Sequence, residues 1–533
     1  MSTASAGDSV QLSAQEGFTG GRNPWAIALT VTMATFMEVL DTSIANVSLP
    51  HMAGSLSVSQ DESTWVLTSY LVSNAIVLPV SGWFATKFGR KRFYMACVAI
   101  FTASSLLCGL APNLGLLIFF RVLQGLGGGG LAPSEQAILA DTFAPAKRAT
   151  AFAVYAMAVV LAPAIGPTLG GFITDHYSWR WVFFINIPVG LLSLLLSGRM
   201  LQDPPHLVEA KKRIGGIDYI GLGLVAVGLG ALELVLDKGQ EDDWFASPTI
   251  TTFAVIAGVA LLSFVLWEWR QRNPVVDVRL FKNRTFAISN LMMLVLGMTL
   301  YGSTVLLPQY LQVWMGYSAT DAGMVLSPGA LVFVCMMPLI GPLMAKVDAR
   351  YVIAFGFTVL AVALYHMSRT LYPGIDFSTA VWLRVYLSIG LAFLFVPINT
   401  VVYAGLPPSK NNAVAGIVNL SRNMGGDIGI ALVTTLIARR AQVHQERIAT
   451  HLVPGVQAFT AKLSGLAHAF EQAGMSSVQA TKQAYAAIYR QLIQQAQTLA
   501  YLDTLFVFAC FAALMVPLVL LTKGVRGRAA ASH

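Results

Sequence analysis

The chain has 533 residues, 56% of them hydrophobic and 11% charged. A soluble domain carries about 25% charged residues, so this composition excludes a lone soluble core and points to many stacked membrane spans. The formal net charge of +8 does not indicate nucleic acid, because the basic residues sit in short segments between apolar runs and form no basic, aromatic-interleaved surface.

Residues 1–21 are polar and lack the basic start of a cleavable signal, so the first apolar run is expected to stay as a span. At about 20 residues per span, fourteen spans are predicted. They cover 25–50, 63–85, 92–111, 115–140, 150–174, 181–201, 216–237, 248–269, 285–311, 321–345, 351–371, 377–406, 412–438 and 499–522. The expected organisation is a tail over 1–24, a six-span bundle over 25–201, and a linker with two inserted spans over 202–284. A second six-span bundle over 285–522 and a tail over 523–533 follow.

One alternating set of loops holds Arg22, Lys87, Arg90, Lys91, Arg92, Lys147, Arg148, Arg199, Lys211, Lys212 and Arg213. It continues with Arg270, Arg272, Arg279, Lys282, Arg284, Lys346, Arg350, Lys410, Lys523, Arg526 and Arg528. The short loops of the other set hold Arg180, Lys238 and Arg369. Cytosolic loops carry the excess of Lys and Arg, so both termini are expected in the cytosol.

The first span contains "MEVLDTSIANVSLP" at 37–50, with two carboxyls, Glu38 and Asp41, on one helical face. A charged carboxylate at a bilayer centre costs about 2.5–3.5 kcal/mol on insertion scales. Either each caps a kink or pairs internally, or the two form a proton site in a watery cleft between bundles. The fourth span offers the partner. Arg121 lies six residues into it, about 9 Å below the outer surface, and Asp41 lies about 13 Å below the same surface. The depths agree within one helical turn, and Gln124 shares that turn.

"GLGGGG" at 125–130 satisfies G-x-G-x-x-G, but no strand or βαβ unit precedes it. In an apolar helix such glycines permit close helix approach. "APAIGPTLGG" at 162–171 extends this to the fifth span: Pro163 and Pro167 are expected to bend it, while Gly166, Gly170 and Gly171 present a flat face. Further along, Glu135, Glu233, Arg384, Asp427 and Asp503 are intramembrane charges that serve either as anchors and internal pairs or as substrate contacts. Phe36, Tyr70, Tyr155, Tyr301 and Tyr386 are candidates to stack on a flat lipophilic substrate, or else are packing and lipid-facing side chains.

The segment 439–498 is expected outside the membrane on the outer face. Val456, Phe459, Leu463, Leu466 and Phe470 recur at helical spacing, and Ser476 or Ser477 is expected to cap a second helix ending near 498. It is either a lid on the chain's own outer face or a docking surface for a periplasmic partner. Cys97, Cys108, Cys335 and Cys510 lie in apolar runs and read as small buried hydrophobes. Cys97 and Cys108 fall on one helix about 16 Å apart, too far for a disulfide. The eight histidines show no metal-ligand spacing, and no phosphate loop or nucleophile–base set occurs. A membrane enzyme or sensor is therefore the weaker class, and no cofactor or metal is expected.

The chain repeats itself. Arg121 and Arg384, Pro145 and Pro408, and Gly166 and Gly429 are each 263 residues apart, by subtraction of their positions. "GWFATKFGRK" at 82–91 has a looser partner in "GPLMAKVDAR" at 341–350. Two parallel six-span repeats mark alternating-access transporters, with the site near the midplane between the halves.

"LDTSIANVSLP" resembles the first-span signature of the fourteen-span drug:proton antiporters of the major facilitator superfamily, the EmrB/QacA type. "GWFATKFGRK" resembles the superfamily's cytosolic loop signature, "RVLQGLGGG" its fourth-span arginine motif and "APAIGPTLGG" its antiporter motif. "SWRWVFFINIPVG", "LDKGQEDDWF", "NPVVDVRLF" and "NLSRNMGGDIG" also look like family segments, so the likeness covers nearly the whole chain. It implies an all-α integral membrane fold of two six-helix bundles plus two inserted spans. It also implies proton-driven export of lipophilic or cationic toxic compounds by alternating access, from the cytoplasmic (inner) membrane.

Residue by residue, the resemblance places Asp41 and Arg121 in the coupling network, with Glu38 beside them. It places Gly166, Pro167, Gly170 and Gly171 in the antiporter helix, and gives gating to Gly82, Lys87, Gly89, Arg90 and Lys91. It suggests a tripartite pump with a periplasmic membrane-fusion adaptor and an outer-membrane channel. Thr86 stands where the loop signature usually has an acid, which removes the usual charge contact there. Asp427 stands where a small residue is common. The alternative within transport is a dedicated exporter of one metabolite or siderophore-like compound, or an importer.

Overall fold

The computed structural model describes residues 18–145, 147–213, 216 and 218–522. The basic positions Lys523, Arg526 and Arg528 lie outside the described residues, as do the side chains of Lys211, Lys212 and Arg213. Among the described residues there is no strand.

In the first half, α1 (Pro24–Leu56), α2 (Gln60–Phe88), α3 (Arg90–Leu110), α4 (Leu114–Gly128) and α5 (Leu131–Thr142) lead to α6 (Arg148–His176). The short α7 (Trp181–Phe184) and α8 (Asn186–Met200) complete it. The linker helix α9 (Pro205–Arg213) precedes the inserted pair α10 (Tyr219–Lys238) and α11 (Pro248–Arg270). The second half comprises α12 (Arg284–Met315), α13 (Ala319–Lys346), α14 (Ala349–Thr370), α15 (Phe377–Val401), α16 (Asn411–Ala449), α17 (Gln457–Gln472) and α18 (Ser477–Leu520).

Local chemistry sets several of these starts. Asn23 accepts from the Trp25 amide with Pro24 in the first turn of α1, and Ser59–Glu62 and Ser318–Asp321 form reciprocal capping boxes on α2 and α13. Thirteen helical stretches among the described residues are long and apolar enough to cross a membrane. The fourteenth expected span, α16, falls outside that set because it carries Asn411, Asn412, Asn419, Arg422 and Asp427. Most of these polar groups are buried against other helices, so apolarity alone understates its place in the bundle. At the other extreme α11 exposes Val255, Val259 and Leu262 by 60–64%, which is the surface a helix presents to lipid. Cys335 and Cys510 are exposed as well, correcting their expected burial; each falls on the outward side of its helix.

Glycines set how closely the helices pack. A Cβ on Gly125 would lie 2.5 Å from the Tyr70 carbonyl of α2, and one on Gly127 2.7 Å from the Phe101 amide of α3. The close approach expected of "GLGGGG" is therefore present, and the fourth span breaks into α4 and α5 at Gly129–Gly130. In the second half Gly425 and Gly429 bring α16 against the Leu294 and Met298 carbonyls of α12. On α6, Gly166 meets Ser43 and Gly170 meets the Ile44 backbone of α1. Gly171 meets nothing within 4 Å, so the flat face holds two of the three expected glycines.

The outer segment also differs from expectation. The α16 helix continues past 438 to Ala449, and the helix capped at Ser476 does not stop near 498 but runs unbroken to Leu520. The amphipathic α17 lies on α18, with Phe459 buried and its ring 6.2 Å from Tyr485.

Candidate proton-coupling site

Asp41 and Arg121 are both 0% exposed, and Arg121 Nη1 donates to Asp41 Oδ2 at 2.6 Å. A buried ion pair is supported by further hydrogen bonds; here the carboxylate's are complete, while Arg121 Nη2 has none among the described residues. Asp41 Oδ1 accepts from Gln124 Nε2 at 3.1 Å and from Asn186 Nδ2 at 2.6 Å. Arg121 Nε donates to the Val66 carbonyl at 3.0 Å, and its Nη1 also donates to Gln124 Oε1 at 2.8 Å. Ser105 accepts from both amides and donates to the Phe183 carbonyl. The Tyr70 ring lies 4.3 Å from the guanidinium carbon, a cation–π contact. Six helices of the first half thus contribute to the network around one carboxylate.

This geometry corrects one expectation. Asp41 does not face a watery cleft in this conformation but is sealed, enclosed by Arg121 and Gln124 of α4 and Asn186 of α8 with Tyr70 and Ser105 behind them. Glu38, one turn earlier, is 9% exposed and accepts from Tyr70 Oη at 3.2 Å and Asn74 Nδ2 at 3.1 Å. Tyr70 therefore touches both carboxylate environments: its hydroxyl bonds Glu38 and its ring faces Arg121. Glu135, fully buried, accepts from Thr32 at 2.5 Å.

The internal repeat is instructive here. Arg384, the counterpart of Arg121, donates to Ser303 at 3.1 Å and Thr304 at 3.3 Å. Thr304 stands 304 − 41 = 263 residues after Asp41, the same offset. Each half holds its arginine against the first helix of that half, α1 or α12, and where the first supplies Asp41 the second supplies Thr304.

The halves meet where the basic loops cluster. Arg90 Nη1 pairs with Asp141 Oδ2 at 2.7 Å, and Asn411 Nδ2 donates to Asp141 Oδ1 at 2.6 Å. Arg90 Nε donates to Asn412 Oδ1 at 2.8 Å, while Asn412 Nδ2 donates to Thr86 at 3.0 Å. Thr86, in place of the usual acid, is therefore still a contact across the halves, by hydrogen bond. A Cβ on Gly82 would lie 2.5 Å from the Asn412 carbonyl oxygen, so helix α2 touches the start of α16 backbone to backbone. Gly89 adopts φ +95° between α2 and α3, a conformation suited to glycine. Lys91 stays within its own half, donating to the Gly198 carbonyl at 2.6 Å; Lys87 sits in the last turn of α2. Deeper in, Tyr155 donates to Asn419, Asn419 donates to Gln136 and Arg422 donates to Tyr155, again across the halves.

The other predicted contacts scatter. Phe36 packs with Leu40 and Ala162 at the α1–α6 contact. Tyr301 lies over Gly426 and lines a small cavity with Arg384 and Pro163. Tyr386 is 41% exposed and stacks on Trp382, on the outer surface of the bundle and away from Asp41. Asp427 faces Glu233 of the inserted α10. Asn186, Asn74, Asn412 and Asn419 were not singled out by sequence. The only signal available was an amide inside an otherwise apolar run, as in "FFINIPVG".

Residues 31–430 match the Major Facilitator Superfamily. Among curated proteins, the chain is 38% identical over 461 residues to Multidrug export protein EmrB of Escherichia coli (strain K12), covering 86% of this chain and 89% of that one. It is also 38% identical over 453 residues to Fatty acid resistance protein FarB of Neisseria gonorrhoeae, covering 85% and 88%. Among solved structures, the proton:xylose symporter XylE superposes with a TM-score of 0.60 at 13% identity, over 95% of this chain and 97% of that one. The last likeness shows the fold alone.

Proposed function

Since this chain belongs to the EmrB-type multidrug transporters of the Major Facilitator Superfamily, we propose that it exports lipophilic toxic compounds across the inner membrane in exchange for protons. The observation that carries the reading is the Asp41–Arg121 pair, closed off from water and held by Gln124 and Asn186. Opening the packing of α1 against α4 and α8 brings this carboxylate to water, with which it exchanges a proton. Glu38, nearer to solvent and joined to the same surroundings through Tyr70, is the port. Substrate binding favours proton loss, and the loaded carrier rocks about the contacts between α2 and α16. Moving one charge through the membrane potential supplies about 2.3 kcal/mol per 100 mV. Both termini lie in the cytosol on this reading, in keeping with the basic loops.

The test is proton release. Purified protein in weakly buffered solution, given a panel of lipophilic cations and acids, is expected to release protons on binding the transported members. A panel that binds without releasing protons excludes proton exchange.

The hairpin of α17 and the outer part of α18 extends the reading to a tripartite pump. Val478 is 68% and Tyr489 58% exposed beside the covered Phe459, an apolar strip suited to a periplasmic adaptor. Replacing residues 451–475 by a short Gly/Ser linker is expected to spare transport in everted vesicles while abolishing release to the medium. Unchanged adaptor co-purification would place docking elsewhere.

A further inference from the structure

Glu233 on the inserted α10 and Asp427 on α16 meet carboxyl to carboxyl, within hydrogen-bonding reach. Glu233 is 2% exposed, and its Oε2 has no N–H or O–H donor among the described residues. The surrounding charged and titratable groups do not neutralise the pair. Asp237, one turn along α10, is a third acid and accepts from Thr68 of α2. Lys238 is engaged by Thr64 and Glu241. Arg422 of α16 is turned to Tyr155 and Asn423, and the α12 group nearest Asp427 is the phenol of Tyr301. Glu268 of α11 lies towards the other end of α10, beside Gly221.

Two carboxylates in contact, Glu233 buried and Asp427 half-buried, repel strongly, and a proton lying between them relieves that repulsion. From this juxtaposition we infer that Glu233 and Asp427 form a second proton-holding site, one proton shared between two carboxyls, which joins the inserted spans to the second half. The shared proton is donated by one carboxyl to the other, and the site carries a single negative charge. Because α10 packs on α2 of the first half and also touches α16 of the second, rocking of the halves pulls the two carboxyls apart. Each then meets water, and the shared proton leaves to it; closure takes one back. Only this last step rests on the export reading; proton holding does not.

The experiment needs neither substrate nor gradient, so its failure is distinguishable from failure of that reading. Infrared difference spectra of the full-length protein in nanodiscs at neutral pH are expected to contain a protonated-carboxyl C=O band. Glu233→Gln and Asp427→Asn are each expected to remove one carboxyl's worth of it, whereas Asp41→Asn leaves that component in place. Glu233→Lys, which gives Asp427 a cation, is expected to lose the same component while the protein stays monodisperse, separating loss of the proton from misfolding. An unchanged band in both the Gln and the Asn variants overturns the inference.

Discussion

Asp41→Asn is expected to lower drug-evoked proton movement and net export by more than about tenfold, equivalent to at least 1.4 kcal/mol, with insertion retained. Asparagine has nearly the shape of aspartate, so the packing of α1 against α6 survives. Its chemistry does not. Asp41 accepts three hydrogen bonds, from Arg121, Gln124 and Asn186, and an amide turns one of its two ends into a donor. One of these donors then faces another N–H, and Arg121 keeps its charge without a counter-ion. Removing one partner of a buried ion pair typically costs about 3–5 kcal/mol of stability, so the variant is expected to melt earlier while still reaching the membrane. The apolar runs that direct insertion are untouched. Vesicle assays of acidification, beside size-exclusion profiles of the purified variant, separate the two effects. Undiminished proton-coupled export removes Asp41 from the mechanism.

Gly82→Val is expected to prevent the basic-loop face from closing. The added Cβ would lie 2.5 and 2.7 Å from Asn412 O and C and 2.9 Å from Ala413 Cα. These are backbone atoms at a helix start, so neither partner can rotate away as a flexible side chain would. Overpacking of this kind costs about 1–3 kcal/mol, enough to shift a two-state balance between closed and open by about fivefold to a hundredfold. The readout is thiol labelling of Ala413→Cys with Cys335 and Cys510 changed to Ser. Labelling from the basic-loop side is expected to accelerate about tenfold when Gly82→Val is added, and export to fall with it. Equal labelling rates and normal export are the opposite result. The Ala variant is expected to fall between, since it adds the clashing Cβ without the branch.

Thirteen of the fourteen expected spans and the Asp41–Arg121 contact were legible because each depends on spacing. Depth along a helix follows from 1.5 Å per residue, and a buried arginine needs acceptors, an acid in the case of Arg121 and hydroxyls in the case of Arg384. What spacing does not fix is rotation about the helix axis and which neighbour fills the remaining valences. Asn186 joins Asp41 from α8, and Asn412 closes on Arg90 from the other half; neither is visible without the tertiary arrangement. The same limit explains Tyr386, whose aromatic ring reads like Tyr70 in sequence yet points outward. It also explains Gly171, which differs from Gly170 by one helical step of about 100° and so leaves the α1 contact. The polar α16 was predicted as a span and is too polar by composition alone, because its amides and Arg422 are matched by groups on α2, α5 and α6.

The unbroken α18 spans 44 residues, about 66 Å, against a hydrocarbon layer of about 30 Å. A rod that stiff acts as a lever arm, with its fulcrum among the membrane helices of the second bundle. A tilt of about 10° at that fulcrum swings a tip about 36 Å away by roughly 6 Å. Whatever grips the protruding end feels each stroke of the cycle, and by the same coupling a clamp placed there acts as a brake on it.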